Sequence, residues 1–196
     1  MSELRTNRII PRDGLSANCY GGIIQIKQSV LTTSSAIATG HNFTDSGLAV
    51  TITPTRSDSR ILVMSDISCG LSNSYGGCLR LLRGSTHIYK GDADGNRPIV
   101  TKWFCDYKAS NDIYSTFFPH FQFIDSPSTT SATTYKIQLA AYSSVVVYVN
   151  RSHAHQNQSE YDGVQASSIT AMELSGLVDI LKNPVNIDNK ITNVIP

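Results

Sequence analysis

Two histidines separated by one residue, His153 and His155, have a spacing that metal sites use. On an extended segment both imidazoles point to the same side of the chain. In a three-fold fibre, such a pair from each chain would surround an axial transition metal with nitrogen ligands. The polar run that follows, Gln156-Asn-Gln-Ser-Glu160, is instead typical of a solvated loop. The loop interpretation is favoured, so neither a metal nor a cofactor is predicted.

The segment Gly91-Asp-Ala-Asp-Gly-Asn96 places oxygen-bearing side chains at alternate positions, as the opening of a calcium loop does. A calcium loop needs a bidentate glutamate at its twelfth position. Counted from Asp92, that position is Trp103. The segment therefore predicts a turn at Asp94-Gly95 rather than a calcium site.

Three aromatic residues, Trp103, Tyr107 and Tyr114, lie in the longest stretch without clean alternation, from Gly91 to Ser115. Aromatic faces among Asp and Asn suit a sugar-binding loop, because rings stack on C–H faces while hydroxyls find polar partners. The alternative is that these rings simply cover one end of the fold. We take the three as candidates for receptor contact.

Catalytic signatures are missing from the sequence. It contains no Gly-x-Ser-x-Gly elbow, no phosphate-binding glycine loop and no His-Glu-x-x-His. A polysaccharide-cleaving enzyme would need two carboxylates about 5–9 Å apart in a cleft, and no such pair is recognisable. We predict that the protein is not an enzyme.

Charge and hydropathy limit the partners. The 196 residues include 16 basic and 15 acidic ones, giving a net charge of +1. Such a chain has no strong field for polyanions, so nucleic acid is not predicted as a partner. Neither a signal peptide nor an apolar run of roughly 18 residues is recognisable. We expect assembly in a cytoplasm and no membrane insertion.

The four cysteines, Cys19, Cys69, Cys78 and Cys105, show no Cys-x-x-Cys spacing. Neither a zinc site nor a redox pair is therefore indicated. Free thiols are expected, while a bridge between Cys69 and Cys78 stays open because spacing alone does not give their separation.

Short alternating segments divided by turn residues run from residue 21 to about 175. The first places Ile24 and Ile26 on one side of a strand, and a later one, Tyr135-Lys-Ile-Gln-Leu139, alternates in the same way. Pro119 interrupts another segment, which indicates a sheet edge or a bulge. These strands predict one all-β domain over residues 21–175, built as a sandwich or barrel.

The two ends of the chain differ from this body. Residues 1–20 carry arginines around Ile9 and Ile10, with Pro11 stopping regular structure, and predict an extended anchor. Residues 176–196 form a C-terminal extension, and helical spacing covers Ser175-Gly-Leu-Val-Asp-Ile-Leu-Lys182. The extension is too apolar for a typical disordered tail, so we expect it to pack on a neighbour.

Several blocks of this sequence, in this order, resemble virion proteins of tailed bacteriophages, especially those that infect cyanobacteria and other marine hosts. The blocks are Glu3-Leu-Arg-Thr-Asn-Arg-Ile-Ile-Pro-Arg-Asp-Gly-Leu15, Gly21-Gly-Ile-Ile-Gln-Ile26, Leu48-Ala-Val-Thr-Ile-Thr-Pro-Thr-Arg-Ser-Asp-Ser-Arg-Ile-Leu-Val63, Leu81-Leu-Arg-Gly-Ser85, Asp125-Ser-Pro-Ser-Thr-Thr-Ser-Ala-Thr-Thr-Tyr-Lys136, Val149-Asn-Arg-Ser152 and Ser168-Ile-Thr-Ala-Met-Glu173. The resemblance implies a tail-fibre or knob component with a jelly-roll head similar to the C1q and tumour-necrosis-factor heads. It also implies a homotrimer without shared catalytic residues.

The expected function is that of a structural virion protein of tail-fibre or adhesin type, with a head that contacts a host glycan or receptor. An anchor to other virion proteins would use apolar side chains in pockets and arginines on carboxylates. Its residues are Leu4, Arg5, Arg8, Ile9, Ile10 and Arg12. A head-decoration or cement protein of the capsid is the alternative, and a virion-bound polysaccharide-degrading enzyme is an alternative of another class.

Overall fold

A computed structural model of the protein describes residues 22–38, 40–73, 75–105, 113–143 and 145–174. The predicted anchor and the predicted C-terminal extension lie outside these residues. Individual candidates that also lie outside them are Leu4, Arg5, Arg8, Ile9, Ile10, Arg12, Cys19 and Tyr107.

The described part of the chain contains strands and no helix. The strands are β1 (Ile23–Leu31), β2 (Ser35–Ala38), β3 (Thr44–Ile52), β4 (Arg60–Asp66), β5 (Cys69–Leu71), β6 (Gly76–Arg83), β7 (Thr86–Ile88), β8 (Lys102–Cys105), β9 (Thr116–Phe117), β10 (His120–Asp125), β11 (Thr133–Ala141), β12 (Val146–Val149) and β13 (Ser167–Leu174). None of the described segments forms an apolar helix of membrane-spanning length.

The first layer has the strand order β1-β13-β4-β10, and β2-β12-β5-β9 continues it in the same order. Each strand of the first set is a chain neighbour of its counterpart in the second. Three of these pairs are separated by two or three residues, and β12 and β13 are separated by residues 150–166. The interruption between β9 and β10 falls at Phe118-Pro119, and both strands lie at the edge of the order. This confirms the edge position that Pro119 predicted.

The second layer has the order β3-β11-β6, and β7 and β8 both pair with β6. In the first layer, β13 lies between β1 and β4. In the second layer, β11 lies between β3 and β6, and all of these pairs are antiparallel. This is the topology of a two-layer jelly roll. The predicted all-β jelly-roll sandwich is confirmed.

The core fills the space between the two layers with inward-facing aliphatic residues. On the first layer these are Ile61, Val63, Ile169 and Ala171, and on the second Leu79, Leu81, Ile137 and Leu139. Tyr135 is also fully buried, and its hydroxyl donates to Asp125 at 2.7 Å. Arg83 binds the same carboxylate at 2.9 Å and so helps to join the layers.

A second buried carboxylate, Glu173 on β13, ties β1 to the turn before β4. It accepts hydrogen bonds from Gln25 at 2.6 Å, from Ser59 at 2.6 Å, and from the backbone N–H and hydroxyl of Thr55, both at 2.7 Å. Burial would raise the pKa of Glu173, but these hydrogen bonds outweigh burial and hold the pKa below its usual value. The part of β1 around Gln25 is therefore attached through polar contacts.

The described cysteines are free thiols, which bears out the expectation for Cys69, Cys78 and Cys105. Cys69 and Cys78 are buried, and Cys105 is exposed. Burial raises the pKa of Cys78 to about 12 and also raises that of Cys69. Both buried thiols stay protonated at neutral pH, where they pack as small apolar side chains.

Candidate functional site

A long excursion interrupts the outer strand of the second layer. Ile88 pairs with Leu81, and the next paired residue is Lys102, opposite Leu79, so residues 89–101 leave the sheet between them. The base of the excursion is closed by hydrogen bonds from Thr101 N to Leu79 O at 2.9 Å and from the Thr101 hydroxyl to Tyr89 O at 2.7 Å. The protrusion is therefore attached firmly where it rejoins the sheet.

Trp103 follows the excursion on β8 and is 47% exposed. Its indole edge lies against Gly76, where an added Cβ would come within 2.0 Å of Trp103 Cζ2. The Tyr142 ring lies 5.3 Å from it at a 42° tilt, and His41 contacts Tyr142 edge-on at 4.9 Å. Glycine thus permits the ring to lie close to the sheet, and the neighbouring rings hold it there.

A hollow of about 680 Å³, called the Trp103 hollow below, opens between Trp103 and the excursion. Its lining includes the apolar residues Trp103, Pro98 and Val100 and the polar residues Asp94, Asn96 and Arg97. This volume falls within the range of roughly 300–1,000 Å³ found for small-molecule sites.

The polar wall of the Trp103 hollow is a turn. Arg97 N donates to Asp94 O at 3.2 Å, and Gly95 has a φ of +56°, which glycine adopts without strain. The Arg97 guanidinium also pairs with the Asp94 carboxylate. The predicted Asp94-Gly95 turn is confirmed. Within the described ranges, no three His, Cys, Asp or Glu side chains are grouped as metal ligands would be.

Tyr114 lies in a different place from Trp103. Its ring contacts Tyr161 at 5.0 Å, and its hydroxyl donates to Gln156 Oε1 at 3.2 Å. Both partners belong to the loop of residues 151–164, which passes over Gly70 on the first layer. The structure thus separates two of the predicted receptor contacts, while Tyr107 lies outside the described residues.

The loop of residues 151–164 is organised around Asp162 rather than around its histidines. The Asp162 carboxylate accepts hydrogen bonds from Ser152 Oγ at 3.0 Å, Gln156 N at 2.6 Å and Gly163 N at 3.0 Å. The His153 ring stacks on Tyr148 at 5.3 Å. These contacts give the segment a structural account that uses neither imidazole as a metal ligand.

The outer face of the first layer carries an apolar row across four neighbouring strands. Ile124 lies opposite Leu62, Leu62 opposite Met172, and Met172 opposite Ile26. Ile26 is 53% exposed and Ile124 is 42% exposed, and the two central side chains are half-buried. Ile23, Ile24 and Val30 add further exposed apolar surface along β1.

The outer face of the second layer is polar by contrast. Asp45 accepts hydrogen bonds from Lys136 at 2.8 Å and from Gln138 at 2.5 Å. These bonds, that from Lys136 foremost, lower the pKa of Asp45. Arg80 donates to Gln138 and lies 4.1 Å above the Phe43 ring. These side chains therefore satisfy one another's polar groups.

Sequence patterns identified Trp103 as a candidate contact residue. They identified neither the residues that pack against Trp103 nor the apolar row. Gly76 lies on β6 and Tyr142 directly follows β11, and nothing near them in the chain points to Trp103. For the row, the alternation in β1 that puts Ile24 and Ile26 on one side was a signal, but it did not tell which side faces solvent.

A comparison with models of protein families finds no match, and a search of curated proteins finds no match either.

Proposed function

We propose that this chain is a structural, non-enzymatic virion component of a tailed bacteriophage, of tail-fibre type. Its jelly-roll heads associate with one another through the outer face of the first layer, as a homotrimer. The observation that carries the proposal is the apolar row on that face. The sequence blocks that resemble phage virion proteins supply the context of the virion.

An apolar row on an outer sheet face is unusual for a protein that stays alone. In antiparallel sheets the solvent-facing side is normally polar, and contiguous apolar patches mark interaction sites. Covering a half-exposed isoleucine such as Ile26 or Ile124 removes apolar area from water at roughly 25 cal/mol per Å². A partner on this face therefore has a driving force, which the polar part of the second layer around Asp45 and Lys136 lacks.

The buried carboxylates also support a structural role. Glu173 and Asp125 lie in the sandwich, and each has its oxygens occupied by donors from more than one strand or turn. A general acid or nucleophile needs to reach its substrate. These groups instead hold elements of the sandwich together.

Attachment to the particle is assigned to residues 1–20, which directly precede β1 in the chain. The predicted anchor places Leu4, Ile9 and Ile10 in pockets of another virion protein and Arg5, Arg8 and Arg12 on its carboxylates. Avidity within a trimer would multiply the hold of each anchor. A deletion of residues 2–16 is then expected to abolish incorporation into particles, and unchanged incorporation would contradict the anchor.

The solution mass of the full-length protein tests self-association. Light scattering is expected to give three times 21.4 kDa for the unaltered protein. Ile26→Glu and Ile124→Glu each introduce a charge into the apolar row at a position more than 40% exposed in the isolated chain, so they should lower the mass without unfolding the head. Thr51→Glu, on an exposed position of the second layer, is the matched control and should leave the mass unchanged.

A monomeric unaltered protein would overturn the self-association. Labelled antibody and electron microscopy of particles test the virion assignment separately. Label at the tail is expected. Label over the capsid would favour the head-decoration alternative, and particles without label would contradict a virion role.

A further inference from the structure

The Trp103 hollow lies on the second layer, so contact between heads through the apolar row does not account for it. We propose that this hollow binds a neutral pyranose, which stacks on the exposed indole face of Trp103 and hydrogen-bonds to Asp94, Asn96 and Arg97. The inference rests on the proposed tail-fibre role, to which it adds the class of ligand and the residues that hold it.

The stacking platform is fixed before any ligand arrives. Trp103 is paired with Cys78 in the sheet, its ring lies against Gly76, and Tyr142 supports it at 5.3 Å. A ring held in this way loses little conformational freedom when a ligand binds, which favours affinity. Trp103 is nevertheless 47% exposed, so part of its surface remains available to a ligand.

The opposite wall supplies the hydrogen-bonding groups that sugar hydroxyls need. The Asp94 carboxylate is an acceptor, the Arg97 guanidinium is a donor, and the Asn96 amide is both. All three side chains are exposed and line the same hollow as Trp103. A wholly apolar occupant would cover these groups without giving them partners, at a cost in free energy.

Charge distinguishes between sugar classes. Asp94 and Arg97 form an ion pair within the wall, so their formal charges cancel. An acidic sugar would have to compete with Asp94 for the guanidinium. A neutral pyranose can bond to both members of the pair without separating them, so the hollow is better suited to neutral hexoses than to uronic acids.

Tryptophan fluorescence gives a direct readout, because Trp103 is the only tryptophan in the chain. The full-length protein is titrated with D-glucose, D-galactose, D-mannose and N-acetyl-D-glucosamine, with D-glucuronate as the charged comparison. Saturation-transfer NMR on the same samples detects binding that leaves the emission unchanged. We expect saturable binding of at least one neutral sugar, with dissociation constants in the millimolar range.

Two variants test the residues. Trp103→Ala, measured by NMR, should weaken binding at least about tenfold, since it removes the stacking surface. Asn96→Ala changes only an exposed turn residue, so it should weaken binding several-fold in a protein with an unchanged circular dichroism spectrum. Tyr161→Ala, an exposed ring on the loop over the first layer, is the matched control and should bind as the unaltered protein does.

The proposal is overturned if none of the four neutral sugars binds, if only glucuronate binds, or if binding survives both Trp103→Ala and Asn96→Ala. Its failure is distinguishable from failure of the proposed assembly. Trp103→Ala should leave the mass from light scattering unchanged, whereas Ile26→Glu should change that mass and leave sugar binding intact.

Discussion

Strands β1 and β11 are both nine residues long and both alternate, yet near Gln25 and Ile26 strand β1 presents the opposite kind of side chain to the interior, and only its end, Leu31, packs against the core. In β11 the apolar residues Ile137 and Leu139 are fully buried. In β1 the apolar residue Ile26 faces outward, and Gln25 faces inward to bind Glu173. An alternating pattern therefore identifies a strand, but it does not tell which side of that strand faces the interior of the domain.

The difference is consistent across the two layers. The outer side of β11 contributes Lys136 and Gln138 to a hydrogen-bonded polar face. The outer side of β1 belongs to the apolar row. Around Lys136 the second layer has its polar side chains paired with one another, whereas the first layer has a face that gains free energy when something covers it.

The largest expected effect is the contrast between truncating an inward-facing apolar residue of β11 and truncating an outward-facing apolar residue of β1. Ile137→Ala should lower the free energy of unfolding by about 2–5 kcal/mol, because it leaves a cavity in a filled core. Ile26→Ala should cost less than about 1 kcal/mol in dilute protein, since its side chain already contacts water. Chemical denaturation of both variants at one low protein concentration measures the contrast. Equal losses of unfolding free energy would mean that Ile26 faces the interior as Ile137 does.

A smaller effect is expected at the polar attachment of β1. Glu173→Gln keeps the shape of the side chain but replaces one acceptor oxygen by a donor, which leaves buried donors without a partner. The free energy of unfolding at neutral pH should fall by about 1–3 kcal/mol. Glu160→Gln, on an exposed loop position, is the control and should change it by no more than about 0.5 kcal/mol.

The pH dependence sharpens the same test. The pKa of Glu173 in the folded protein lies below its ordinary value of 4.5. Its contribution to stability is therefore present above pH 4.5 and is lost as the pH falls through the lowered pKa of the folded state. The stability difference between the unaltered protein and Glu173→Gln should shrink on acidification. A difference that stays constant to low pH would mean that ionised Glu173 does not hold β1.

The smallest effect is expected on the polar outer face. Asp45→Asn removes the charge that Lys136 and Gln138 bind, but the ion pair is partly exposed and screened by water. The free energy of unfolding should fall by less than about 1 kcal/mol, and added salt should reduce the difference further. Thermal denaturation at low and high salt measures it. A loss comparable to that of Ile137→Ala would show that this face is as important for stability as the core.

Much of the fold was predictable because strand formation depends on local alternation and on turn residues. The all-β class, the edge position of Pro119 and the turn at Asp94-Gly95 each follow from residues adjacent in the chain. The Trp103 hollow was predictable only as an exposed tryptophan near polar residues. The groups that support the ring, Gly76 and Tyr142, reach it through strand pairing that brings distant segments together.

Local sequence was enough to indicate the all-β class, several of its strands and some of its turns, because a period of two residues and turn chemistry operate over a few neighbours. The packing of distant segments against one another settled which side of each strand became interior. It put Gln25 opposite Glu173 and Ile26 in line with Met172, Leu62 and Ile124. The reason is physical: the side of a strand that is buried depends on the layer against which it packs, and that layer comes from distant parts of the chain.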